Sequence, residues 1–353
     1  MFALMIAAAL ALSAPAPVAA ADARPLAEIM ALPPALQAQL HDDVLVGHPS
    51  KTQRLERLVH FVFDTHGLGI TYQADATSSV EQVYATRKVN CLSFTLLFLA
   101  LARESGLEAY PQEVGETLSW GEVDGTIYRS NHINAGVRIA GHRYTVDVAA
   151  NSVITRRPPV RGSDQRMLAQ YYNNLAMERF LQGQLVEAVQ DMGMALQVDP
   201  GYAPHWSNAG VLYLHSGDAD AAERSYAKAL ALDPLDASAL FNMGELMHRN
   251  GDRRREAEFR QRLARVQQKD PLQQFLLARD FERAGDYPSA IERYLRAIQL
   301  LPDEHRFYAA LARTYLQSGD TPRARKALTR ARLFSDGATR DSYRAQLEGL
   351  PQP

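Results

Sequence analysis

The sequence predicts an α+β domain followed by an all-α array of helix pairs. Three observations carry this expectation. Asn174, Asn208 and Asn242 recur 34 residues apart in a stretch patterned for helices. An apolar run over residues 92–102 ends at Gly106 and gives way to strand-like segments. The first 23 residues are apolar and small, a composition the rest of the chain does not share.

The chain begins with that apolar segment. Residues 1–12 are too short to cross a bilayer, which takes roughly 20 apolar residues. Pro15 and Pro17 break the run, and Ala-rich, cleavage-like sequence comes next at residues 18–23. The pattern is that of a secretory signal peptide, although no Lys or Arg stands at its start. It predicts a periplasmic or secreted protein with no membrane span after cleavage. Expected boundaries are 1–23 for the leader, 24–160 for the α+β domain, 168–336 for the repeats and 337–353 for a capping helix and tail.

Within the α+β domain, residues 25–64 read as a helical lead-in. Phe94, Leu97, Phe98 and Leu101 follow the i, i+3, i+4, i+7 spacing of a buried helix over residues 90–105, ended by Gly106. A strand then covers 107–114. Further on, 133–139 and 144–148 read as a β-hairpin turning at 140–142. His132 would precede its first strand, and Asp147 would lie on its second.

The helical half repeats. Its best copy carries Trp206, Gly210, Tyr213, Gly217, Ala222, Tyr226, Ala229 and Pro234. Small residues at 210, 222 and 229 let two antiparallel helices approach, the aromatics fill the space between them, and Pro234 stops the second helix. Residues 237–271 read as an irregular copy with a three-residue insertion before Pro271 and a charged, solvated helix face. "GATRDSYRAQLEGL" reads as the terminal capping helix that such arrays need. On these residues the half resembles tetratricopeptide repeat proteins, with about five copies. That resemblance implies a solenoid whose concave face takes a protein or peptide, with Asn174, Asn208 and Asn242 as candidates to bond a ligand backbone. Asn is also common at this place in the first helix for stacking alone. No paired Lys accompanies these residues, so a free C-terminus is not the expected ligand.

Composition narrows the chemistry. With 46% hydrophobic and 22% charged residues the chain is globular rather than disordered. A net charge of −2 gives no basic surface for nucleic acid. The single cysteine excludes an intramolecular disulfide and a thiolate zinc cluster. Neither an HExxH nor a GxxxxGK[ST] motif occurs, and the expectation is no metal and no cofactor.

That one cysteine, Cys91, opens the buried helix. Unsatisfied amides and the helix dipole favour thiolate there. A buried thiol acting as a small hydrophobe is the alternative. A nucleophile needs a base, and the base an orienting group. His132 and Asp147 on neighbouring strands are the candidates, with His142 competing as base. "TSSVEQVYATRKVNCLSFTLLFLALARESGLEAYPQEV", "NHINAGV" and "YTVDVAAN" together resemble the transglutaminase-like fold of papain-like enzymes over residues 64–151. By that resemblance Cys91 is the nucleophile, His132 the general base and acid, and Asp147 the orienter. Val89 and Asn90 stand where many relatives carry Gly, and Val148 succeeds Asp147 where relatives often carry Pro. Beside the Cys91 amide, Gln82, Gln112 and Asn131 are the candidate oxyanion donors. Trp120 either walls a substrate cleft or fills the core. Two functions are expected from these readings: an exported cysteine peptidase, amidase or acyltransferase whose repeats recruit a protein, or a non-catalytic adaptor or envelope scaffold.

Overall fold

The computed structural model describes residues 24–114, 120–123, 126–129, 132–148 and 159–351, the side chains of 120–123 and 126–129 excepted. The leader and Asn131 lie outside the described residues, as does the Trp120 side chain. The chain forms two compact units. One comprises Met1–Pro111, Ala135–Val146 and Gly162–Pro234; the other comprises Gln112–Asn134, Asp147–Arg161 and Leu235–Pro353.

The lead-in is helical: α1 (Leu26–Ile29), α2 (Pro34–Leu40), a π-helical turn (His41–Leu45) and α3 (Lys51–Phe63). In α3 and in α4 (Val80–Thr86) a Ser–Gln capping box satisfies the first-turn amides, through Ser50 with Gln53 and Ser79 with Gln82. Arg87 ends α4 in the left-handed region at φ 61°. Short parallel strands β1 (Thr71–Tyr72) and β2 (Lys88–Val89) pair, and β2 leads into α5 (Cys91–Glu104). Every residue of α5 from Leu92 to Ala102 is buried, so the helix is enclosed on all sides rather than along one stripe. Each fully buried Leu or Phe there contributes about 1.5–3 kcal/mol.

β3 (Glu108–Val114) comes next. β4 (Trp120–Val123) and β5 (Thr126–Arg129) form a separate hairpin. β6 (His132–Ile139), β7 (His142–Val146) and β8 (Val160–Arg161) complete a four-stranded sheet of order β7-β6-β3-β8. The hairpin is shifted from the sequence expectation. His132 opens β6 rather than preceding it. The turn is Ala140–Gly141, both at positive φ, so His142 begins β7 opposite Ile139, and Asp147 comes one residue after β7 ends.

Ten helices form the array: α6 (Asp164–Leu181), α7 (Leu185–Val198), α8 (Ala203–His215), α9 (Ala219–Leu232), α10 (Ala237–Arg249), α11 (Arg253–Gln268), α12 (Pro271–Arg283), α13 (Tyr287–Leu300), α14 (His305–Gln317) and α15 (Thr321–Leu333). Successive first helices from α8 onward start 34 residues apart, as do all the second helices. The expected insertion before Pro271 is therefore absent. Pro271 is the first residue of α12, equivalent to Ala237, and not a copy of the stop at Pro234. With Gln268 where three other copies carry Pro200, Pro234 and Pro302, α11 runs on to Gln268, and Asp270 caps the next helix. α16 (Gly337–Glu348) is the expected terminal helix, and it buries Tyr343 and Leu347.

Sequence explains the repeat geometry. Gly183, Gly217, Gly251, Gly285 and Gly319 turn each pair at positive φ. In four copies the next residue is an aspartate (Asp218, Asp252, Asp286, Asp320) that caps the second helix. Inside the pair, helices meet at small residues. A Cβ on Gly210 would lie 2.3 Å from Tyr226 Cε1. Ala188, Ala222, Ala290 and Ala324 are fully buried at one register, where the third copy carries Glu256. Glu256 is held by His248, Arg253 and Arg260, each at 3.0 Å. This ion cluster is what makes the copy irregular.

Candidate functional site

Cys91 is the first residue of α5 and half-buried. A hydrogen-bond chain builds the helix tip that carries it. Asn90 caps α5 by accepting from the Ser93 amide at 2.9 Å and donates to Thr77 Oγ1 at 2.7 Å. Ser93 Oγ accepts from the Ser78 amide and donates to the Ala76 carbonyl. Asn90, Ser93 and Thr77 are all buried, so each of these bonds is shielded from water. The Thr77 amide in turn donates to Glu178 Oε1 of α6 at 3.1 Å. Burial pushes the Glu178 carboxyl above its ordinary range, and its bonds to Thr77 work in the opposite direction. At the other end of α5, Arg103 grips Asp164 of α6 with two bonds of 2.8 and 2.7 Å.

His132 and Asp147 meet as the hairpin reading requires. His132 Nε2 lies 2.6 Å from Asp147 Oδ2, with the two side chains only 3% and 11% exposed. Asn134, two residues on and therefore on the same strand face, donates Nδ2 to the same oxygen at 3.1 Å. An imidazole joined to a carboxylate in this way is fixed in tautomer and orientation. His142 is exposed at the start of β7.

The remaining candidates are less uniform. Gln82 Oε1 accepts from the Ser79 amide within the α4 capping box. Gln112 is buried on β3 opposite Arg161. Asn174, Asn208 and Asn242 share one register of the first helices, all half-buried. Asn208 donates to Asn173 Oδ1 at 2.9 Å, and Asn173 donates to Asn174 Oδ1 at 3.3 Å. At the same register the fourth and fifth copies carry Leu276 and Ala310, so the asparagine series stops after three. Asn134 and Glu178 were missed by sequence reasoning. The alternation His132-x-Asn134 could have signalled the first; nothing local signals the second.

The geometry defines a helical repeat array of paired helices with a 34-residue period. Family models of the tetratricopeptide repeat match residues 207–271 and 282–342, and these segments are tetratricopeptide repeats. Neither match extends to residues before 207. No curated protein matched the chain. Among solved structures, a MamA protein is similar at 20% identity and TM-score 0.27, over 52% of this chain and 98% of that one. MamA (41-end) from Desulfovibrio magneticus RS-1 is similar at 17% identity and TM-score 0.28, over 49% and 96%. YrrB, described as a TPR protein with an unusual peptide-binding site, is similar at 17% identity and TM-score 0.27, over 51% and 92%.

Proposed function

We propose that this chain is a protein-binding adaptor whose tetratricopeptide repeats hold a protein or peptide partner. The carrying observation is the unbroken 34-residue succession of helix pairs, in which polar side chains recur at one register of the first helices. The test is selection of a random peptide display library on the purified full chain, with calorimetry of the enriched peptides. Saturable binding that weakens in the Asn174→Ala, Asn208→Ala, Asn242→Ala chain supports the reading. Enrichment no greater than on empty support overturns it.

A second reading, acyl transfer through a Cys91 thioester in a transglutaminase-like α+β domain spanning 24–160, is favoured by the 2.6 Å His132–Asp147 bond. With Nε2 engaged by Asp147, the imidazole would exchange protons through Nδ1. Cys91 would give its proton to His132, and the thiolate would attack an amide carbon. The departing amine would take that proton back, and water or a second amine would then cleave the thioester. The Cys91 amide with Gln82, Gln112 or Asn131 would serve the oxyanion. The test is labelling of native chain by iodoacetamide across pH. Activation predicts labelling that persists below the ordinary thiol pKa of about 8.5 and moves toward that value in His132→Ala. Identical profiles in wild type, His132→Ala and denatured chain would remove the enzyme reading and leave the adaptor standing.

Export to the periplasm or medium belongs to the same proposal and rests on the apolar segment at 1–23. N-terminal sequencing of exported protein should find a start near residues 19–24.

A further inference from the structure

A cleft of about 520 Å³ opens between two first helices of the array. It is lined by Phe275, Arg279, Glu282 and Arg283 of α12 and by Arg313 and Gln317 of α14. Arg279 and Arg313 occupy the same register of consecutive repeats, 34 residues apart, where the first three copies carry Met177, Val211 and Glu245. The cleft is thus a local feature of the fourth and fifth copies and not a property of the repeat consensus. Three guanidiniums and one carboxylate line it; Arg283 also lies 3.9 Å from Asp280, and the lining carboxylate is itself engaged. Glu282, 9% exposed at its side chain, takes two bonds of 2.8 Å from Arg313 Nε and Nη2, and a third of 2.7 Å from the Tyr294 hydroxyl. Tyr294 is fully buried. A guanidinium clamped along one edge has lost its rotamer freedom before a ligand arrives.

We propose that this cleft binds side-chain carboxylates of an acidic peptide segment, with Arg279 and Arg313 as the paired donors. The inference rests on the reading of the array as a partner-binding surface and assigns the partner's chemistry. Guanidinium pairs suit carboxylates because the planar fork matches two oxygens at once. Glu282 is a positioning residue that holds Arg313.

The test is fluorescence anisotropy of a labelled, C-terminally amidated hexaglutamate on the full chain. It should bind at least about tenfold more tightly than the matching hexaglutamine, and the preference should shrink as salt rises. R279Q/R313Q should lose about tenfold or more of that affinity. The charge-matched R330Q/R332Q pair, exposed on α15, should not lose it. R279K/R313K keeps the charge without the fork and should fall between the two, with melting curves confirming that each variant is folded. Equal binding of hexaglutamine, or unchanged binding by R279Q/R313Q, overturns the inference, and the display selection decides the adaptor reading separately. Binding of only the free-acid peptide would reassign the cleft to a chain terminus and overturn the side-chain assignment. Displacement by inorganic phosphate without any hexaglutamate preference would overturn it in favour of a phosphate group.

Discussion

His205 is fully buried in the first turn of α8, edge-on to the Tyr202 ring. Burial lowers its pKa to about 4, with the Asp199 backbone and carboxylate partly offsetting it. An unfolded histidine titrates near 6.5. Between these values the unfolded chain binds the extra proton, so stability rises with pH across that window and falls as pH drops through it. Lowering pH from 7.5 to 5 should remove about 2 kcal/mol through this residue, and His205→Leu should flatten the dependence in urea melts. A wild-type stability that does not change across that range would contradict the assignment. Asn90 is the complementary case: the sequence reading set it inside the helix over 90–105, whereas it stands one residue outside and caps it. Asn90→Ala should cost about 1 kcal/mol, and it should also alter iodoacetamide labelling of Cys91 if the cap orients the helix tip. Glu178 was not legible. It meets Thr77 across 101 residues, and no local pattern encodes such a pairing.

At the scale of elements, the end of α5 was readable because Gly106 marks it. The hairpin was readable from alternation, but its register slipped by one or two residues. Ala140 adopts positive φ beside Gly141, and composition alone does not announce that turn. The repeat period was legible, whereas the insertion was misread because a proline that starts one helix resembles a proline that ends another. Two substitutions probe the helix pairs. Gly210→Ala would drive a methyl into the buried Tyr226 ring and should destabilise by about 1–3 kcal/mol in urea melts. Glu256→Ala should prove neutral or stabilising in thermal melts. It restores the small residue of the other copies, and its partners His248, Arg253 and Arg260 are 44%, 72% and 56% exposed at their side chains and can turn to water.

For the whole molecule, the repeat half was the more legible part, since a period reads directly from spacing. The cleft between α12 and α14 was not, although the 34-residue offset of Arg279 and Arg313 held the clue: repeat consensus draws attention to what recurs in every copy, not to what recurs in two. The array also needs its end closed. α16 covers the last pair with Tyr343 and Leu347, His305 bonds the Tyr343 hydroxyl at 3.0 Å, and Arg325 bonds the Leu347 and Leu350 carbonyls. A chain stopped at Asp336 should expose that apolar seam and self-associate in light scattering, while the full chain should not.

The buried helix α5 is fastened to α6 at both tips, by the Arg103–Asp164 fork at one end and by the Asn90–Thr77–Glu178 relay at the other. A rod pinned twice to the same beam cannot pivot on its own. The sulfur of Cys91 and the opening helix of the repeats therefore travel as one piece, and a load placed on the latter is carried to the former.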